Sequence, residues 1–175
     1  MGISITLPKE YVDFNLNKLN IKELPETSGV YIFYDSLNIP LYVGKTSNLR
    51  NRVGGHVSTS PFYMFAKYIR FYEVEELWQV DIVESYLIHK LLPEYNIDKT
   101  FYTDEDFATI SERINEGIRK TTERLENIKK ILDDGMFAGY TEEDIISAKD
   151  QYLLVSHYLN GYNVRLRRLK ANNPK

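Results

Sequence analysis

Sixteen residues, Gly29 to Gly44 (GVYIFYDSLNIPLYVG), constrain this chain more than any other stretch. Val30 to Tyr34 are all aromatic or β-branched, the composition of a strand. Asp35 to Pro40 supply turn residues, and Leu41-Tyr42-Val43 read as the returning strand. A hairpin of this length places Tyr31 and Tyr42 on neighbouring strands, where both can face one site. Fourteen tyrosines in the chain make any single one an ordinary core or rim residue, so the pair matters only in combination with residues downstream of the hairpin.

Immediately after the hairpin comes Gly44-Lys45-Thr46, which echoes a phosphate-binding loop. That motif needs a glycine five residues before its last glycine, and Ile39 stands there, so the reading fails. Instead Ser47 or Asn48 can cap a helix beginning near Leu49. Arg52 and His56, four apart, would share one face of it. Gly54-Gly55 between them predicts a kink or an end there, at about 1 kcal/mol per glycine. A short helix over 61–66 is expected to turn Phe62, Met64 and Phe65 inward. Residues 67–74 alternate as a third strand, and Trp78 to Leu92 form a helix that stops before Pro93. Glu84 lies in the middle of that helix among apolar residues, as a solvent-facing residue or a buried-site ligand, and periodicity alone favours the former.

Upstream, residues 1–23 form a lead-in segment. Ile3, Ile5 and Leu7 alternate with polar residues as an added edge strand before Pro8, and Leu16, Leu19 and Leu24 cover a flank of the core. Downstream, residues 100–175 read as a helical hairpin with a basic tail. Phe101 marks the change, Thr103 and Thr141 open the two helices ahead of acidic residues, and Gly161 is expected to end the second. Apolar residues from Ile114 to Leu132 recur at three- and four-residue steps, with Thr121 interrupting them. That stripe permits a homodimer through the C-terminal helices.

Charge distribution is more informative than the net value of −3. No acid occurs between Asp35 and Glu73, whereas Lys45, Arg50, Arg52, Lys67 and Arg70 all do. The tail adds Arg165, Arg167, Arg168, Lys170 and Lys175. Patches of this kind steer a phosphate backbone even on an acidic protein, so Arg50, Lys67 and Arg70 are candidate nucleic-acid contacts. The absence of cysteine excludes disulfides and thiolate metal sites. No apolar run reaches the roughly 18 residues of a membrane span, and no signal-peptide pattern opens the chain, so a cytoplasmic protein is expected. His89 and His157 lack the spacing of metal ligands.

The ordered set Tyr31, Tyr42, Lys45, Arg52, His56, Glu84 and Asn96, set around GVY and YVG, resembles the GIY-YIG nuclease superfamily over residues 24 to 98. LPETSGVY and YVGKTSNLRNR are most similar to the catalytic domain of the bacterial excision-repair nuclease. The resemblance implies an α+β fold with a three-stranded antiparallel sheet flanked by helices, spanning residues 24–99 and followed by the C-terminal helical hairpin. It implies a DNA endonuclease that hydrolyses phosphodiester bonds with a tyrosine general base and one divalent cation, Mg²⁺ or Mn²⁺, held by Glu84. Tyr31 is favoured over Tyr42 as the base, with Lys45 beside Tyr42 to favour a phenolate. Arg52 would stabilise charge on the phosphate, His56 would contact phosphate or relay a proton, and Asn96 would fix local geometry. Against this stands a non-catalytic nucleic-acid-binding or assembly module that keeps the fold. No counterpart of the excision-repair protein's other domains is visible, which leaves a DNA repair role open beside homing or restriction cleavage.

Overall fold

The structure is a computed structural model that describes residue 8, residues 10–99 and residues 102–172. Ile3, Ile5, Leu7, Phe101 and Lys175 lie outside the described residues. The chain separates into two compact units between Tyr102 and Thr103.

The first unit is α+β. Its strands are β1 (Val12–Asn15), β2 (Gly29–Tyr34), β3 (Pro40–Thr46) and β4 (Tyr68–Glu73), all antiparallel in the order β1-β4-β2-β3. Two helices, α1 (Leu49–Thr59) and α2 (Leu77–Leu91), flank them. The sheet therefore has four strands, one more than expected. β1 escaped sequence reading because four residues are too few to show a period. Tertiary contacts hold it: Arg70 makes a two-pronged pair with Asp13 at 2.9 and 2.8 Å and lies 3.9 Å over the Tyr11 ring.

β2 is buried along its whole length, which accounts for its unbroken apolar run. Tyr31 and Phe33 enter one layer with Leu49, Val53 and Phe62, while Val30, Ile32 and Tyr34 enter the other with Val80, Val83 and Leu87 of α2. α1 runs unbroken through Gly54-Gly55, contrary to the expected kink, because buried Leu49, Val53 and His56 dock a single face of it. The short helix expected over 61–66 is one 3₁₀ turn, Tyr63–Phe65. With three residues per turn, Phe62 and Phe65 share a side and Met64 points out, 66% exposed. α2 stops where predicted, Leu92 closing it in the left-handed conformation (φ 47°) before Pro93.

β3 is an edge strand, and the backbone of Val43 at its middle is paired by one side chain. Asn96, fully buried, donates to Val43 O at 2.8 Å and accepts from Val43 N–H at 2.9 Å. A carboxamide used in this way replaces the peptide of a missing strand. Asn96→Ala is expected to leave both groups unpaired and cost about 3 kcal/mol. Calorimetry should then show the first unit melting more than about 10 °C lower, and an unchanged transition would mean the two bonds contribute nothing.

Alkaline pH acts on the same core. Burial pushes the Tyr34 phenol up to about 12, with Arg70 opposing the shift. The folded value lies above the unfolded one, so this contribution is complete below the usual tyrosine value of about 10 and is lost as pH rises toward 12. Phenolate absorbance from the core is expected to appear together with loss of near-ultraviolet dichroism.

The second unit is a helical hairpin, α3 (Asp104–Asp134) and α4 (Glu142–Asn172). Thr103 and Asp106 form a reciprocal cap, and Thr141 with Asp144 repeats it. α3 buries Ile110, Ile114, Gly117, Thr121 and Ile128, and α4 buries Ala148, Val155, Tyr162 and Leu169, the α4 residues falling seven apart. Thr121 belongs to the buried face rather than interrupting it, since its hydroxyl donates to Gly117 O at 2.7 Å. Gly117 provides the close approach: a Cβ there would meet the Tyr162 ring at 2.6 Å. α4 continues eleven residues past Gly161, because Tyr162, Arg165 and Leu169 extend its buried face beyond the glycine. The expected basic tail is thus the last turns of a helix, with Arg165 buried over the Tyr162 ring at 4.7 Å. No helix among the described residues is long and apolar enough to cross a membrane.

Candidate active site

The hairpin brings the rings of Tyr31 and Tyr42 to 6.2 Å between centroids. Gly44, the last residue of YVG, makes this approach possible. A Cβ at that position would lie 2.5 Å from the Tyr31 hydroxyl and 2.7 Å from the Tyr42 ring. Tyr42 is braced from behind by Phe62, stacked at 4.7 Å.

α1 supplies the next two groups. Arg52 Nε donates to the Tyr31 hydroxyl at 3.0 Å, and Arg52 also hydrogen-bonds Tyr42. The Tyr31 hydroxyl is 2.7 Å from His56 Nε2, and His56 Nδ1 is 2.6 Å from the Ser60 hydroxyl. In one arrangement of protons that satisfies this chain, Tyr31 accepts from Arg52 and donates its own O–H to Nε2, and the imidazole carries its proton on Nδ1, toward Ser60. Burial, with Tyr42 next in weight, pushes the Tyr31 phenol far above its ordinary value, while the Arg52 hydrogen bond and charge pull the other way. Tyr31 is therefore a neutral phenol, with no exposed surface.

α2 brings the carboxylates. Asp81 and Glu84, three apart, both face Lys45 at the end of β3. Lys45 pairs with Asp81 and lies 3.3 Å from Glu84, and the Asp81 hydrogen bond is the main reason its ammonium is held above the ordinary lysine value. A cavity of 390 Å³, open to solvent, is lined by Tyr42, Lys45, Arg52, Glu84, Ser85 and Ile88. Tyr31 and His56 are not among its lining residues; they stand behind Arg52.

The sequence-predicted residues are thus divided. Tyr42, Lys45, Arg52 and Glu84 share the cavity, Tyr31 and His56 support Arg52, and Asn96 holds β3 from its other edge. The three candidate nucleic-acid cations sit elsewhere. Arg50 pairs with Glu26 and donates to Leu24 O, Arg70 pairs with Asp13, and Lys67 enters β4 with its backbone N–H on Tyr34 O. A segment free of acids in sequence is not free of them in space, because Asp13 and Glu26 ahead of the hairpin and Asp81 of α2 return carboxylates to three of its five cations. Ser60 and Asp81 escaped notice as members of the constellation. The four-residue step from His56 to Ser60 and the three-residue step from Asp81 to Glu84 were the available signals.

A hard divalent cation fits this donor set. Glu84 offers one carboxylate, mostly buried, at a spot that already attracts the Lys45 ammonium. No three His, Cys, Asp or Glu side chains cluster among the described residues. Water and phosphate oxygens would therefore complete the shell, which Mg²⁺ accepts more readily than most metals.

Comparison with known proteins places these features. Residues 27–97 match the family described as the UvrC-like GIY-YIG domain. The chain is 36% identical over 110 residues to the UvrABC system protein C of Helicobacter pylori strain G27, covering 51% of this chain and 18% of that one. It is 40% identical over 85 residues to the protein of the same name from Dictyoglomus thermophilum, covering 46% and 14%. Among solved structures, it is similar to the GIY-YIG N-terminal endonuclease domain of UvrC from Thermotoga maritima, bound to its catalytic divalent cation, magnesium. That match has 31% identity and a TM-score of 0.40, and it covers 43% of this chain and 90% of that one. The chain spans less than a fifth of the length of these curated relatives.

Proposed function

On the premise that this chain belongs to the GIY-YIG superfamily through residues 27–97, we propose that it is a divalent-cation-dependent DNA endonuclease. The observation that carries the proposal is the cavity where Glu84, Arg52, Lys45 and Tyr42 converge. Hydrolysis of a phosphodiester needs a group to take a proton from water, a cation for the developing charge and relief for the departing oxygen.

Glu84 would hold Mg²⁺ or Mn²⁺, and the bound ion would supply charge neutralisation on the phosphate and its leaving oxygen. Tyr42 opens on the same cavity and, as the phenolate between the Arg52 and Lys45 cations, would take the proton from the attacking water and release it to solvent after cleavage. This assigns the base to the second tyrosine of the hairpin rather than to Tyr31, whose hydroxyl is enclosed between Arg52 and His56. Arg52 binds the non-bridging phosphate oxygens. Tyr31, His56 and Ser60 hold its guanidinium in place, each bond fixing the next. Lys45 approaches the phosphate from the α2 side, with Asp81 limiting its reach.

Ser60→Ala tests the supporting chain. With Nδ1 unanchored, the imidazole samples the other tautomer, in which Nε2 no longer accepts from Tyr31. The expected result is a fall in kcat of about tenfold, the equivalent of one hydrogen bond, with KM unchanged. Equal loss in Ser60→Ala and Ser60→Thr would mean a packing defect instead.

The activity itself is tested by incubating supercoiled and branched DNA with the protein and Mg²⁺ or Mn²⁺. Nicking or linearisation that disappears on chelation is expected. Binding of the same DNA without cutting would replace the nuclease reading with that of a binding module.

A further inference from the structure

The apolar stripe of α3 that permits a homodimer in the sequence is consumed within the hairpin. α4 presents a second stripe, and we propose that it is the interface through which two copies of this chain pair, antiparallel, along the outer face of α4.

The buried seam of α4 runs through Ala148, Val155 and Tyr162. Positions two residues away lie about 200° around the helix and face outward. Ile146, Leu153 and Val164 are there, exposed by 59%, 70% and 40%. From Ile146 the outward positions step by four and three in strict alternation, through Asp150, Leu153, His157, Asn160 and Val164 to Arg167, all exposed. This is a coiled-coil spacing carried on the side of a 31-residue helix that faces away from α3.

The chemistry of the steps selects the partner and its direction. Related by a two-fold axis, the stripe meets itself in four kinds of layer. Ile146 faces Val164 of the second copy, Asp150 faces Asn160, Leu153 faces His157, and Glu143 faces Arg167. Each layer joins apolar with apolar, carboxylate with amide donor, aliphatic with imidazole, or acid with base. The parallel alternative places Asp150 on Asp150, His157 on His157 and Arg167 on Arg167, and like charges in a seam oppose association. Acidic Glu142, Glu143 and Asp144 at one end of α4, and Arg167 and Lys170 at the other, add the same preference over the helix length of about 46 Å. This pairing is independent of catalysis, since none of its residues belongs to the cavity.

The test is sedimentation equilibrium on the full chain. The wild type is expected to associate to twice its 20.5 kDa. Leu153→Lys should weaken dimerisation more than about tenfold with helical dichroism unchanged. Glu143→Arg and Arg167→Glu should each weaken it about tenfold, and an equimolar mixture of those two variants should recover it, because their ends are complementary only to each other. A wild-type monomer at 100-fold dilution from about 1 mM and at the undiluted concentration overturns the proposal. So does a dimer indifferent to Leu153→Lys, or a mixture no tighter than either charge variant alone.

Discussion

Glu84→Gln is expected to lower DNA cleavage by on the order of 10³-fold or more while leaving the fold intact. The substitution preserves shape and removes one negative charge from a side chain that is 13% exposed and 3.3 Å from Lys45. Asp81 remains to hold Lys45, so the cavity wall is not disturbed. What is lost is the mostly buried carboxylate that lines the cavity. A second readout separates metal from substrate. Mg²⁺ should raise the melting temperature of the wild type, as any ligand of the native state does, and should have no such effect on the variant. Cleavage that survives in Glu84→Gln would place the cation elsewhere.

The second large effect is expected at Tyr42. Tyr42→Phe keeps the ring stacked on Phe62 and removes only the hydroxyl of a residue that lines the cavity. A fall in kcat of about 10² to 10⁴, the range for loss of a general base, should come with unchanged Mg²⁺ stabilisation. Tyr31→Phe should cost much less, about tenfold, because it releases Arg52 from one hydrogen bond without touching the reacting water. The reverse ranking would return the base to Tyr31 and require the hydroxyl to leave its enclosure between Arg52 and His56.

The contrast between these tyrosines shows what the sequence could carry. The hairpin was legible because Val30 to Tyr34 and Leu41 to Val43 state their own conformation, and Gly29 and Gly44 punctuate it. The joining of α1 and α2 at one site was legible only through the family resemblance that groups Arg52, His56 and Glu84, not through their spacing. Which tyrosine lines the cavity was not legible. It depends on Gly44, the cross-strand partner of Tyr31, leaving room for the Tyr31 hydroxyl. β1 was missed because its stability resides in Arg70 and Tyr11 rather than in its own four residues. The length of α4 was missed because Gly161 is a stop signal only where the residues beyond it lack a partner surface, and Tyr162 and Leu169 have one.

The basic stretch from Lys45 to Arg70 is a related case. Its charge is real in sequence, yet Glu26, Asp13, Asp81 and Glu84 fold back onto it. Arg52 differs in being held by phenolic hydroxyls. Phenols orient a guanidinium without neutralising it, which leaves its charge for an incoming phosphate.

Asn96 has a consequence for how the first unit is made. It pairs with the backbone of Val43 on the edge strand β3 from 53 residues downstream, after every strand and both helices of the unit have been synthesised. On the ribosome the sheet can assemble early, but until residue 96 clears the exit tunnel it carries an open strand edge of the kind that templates pairing with other chains. A chain released just after Pro93 would contain the whole cavity and still be prone to self-association, so the last safeguard of the nascent domain lies in a residue that no substrate needs to touch.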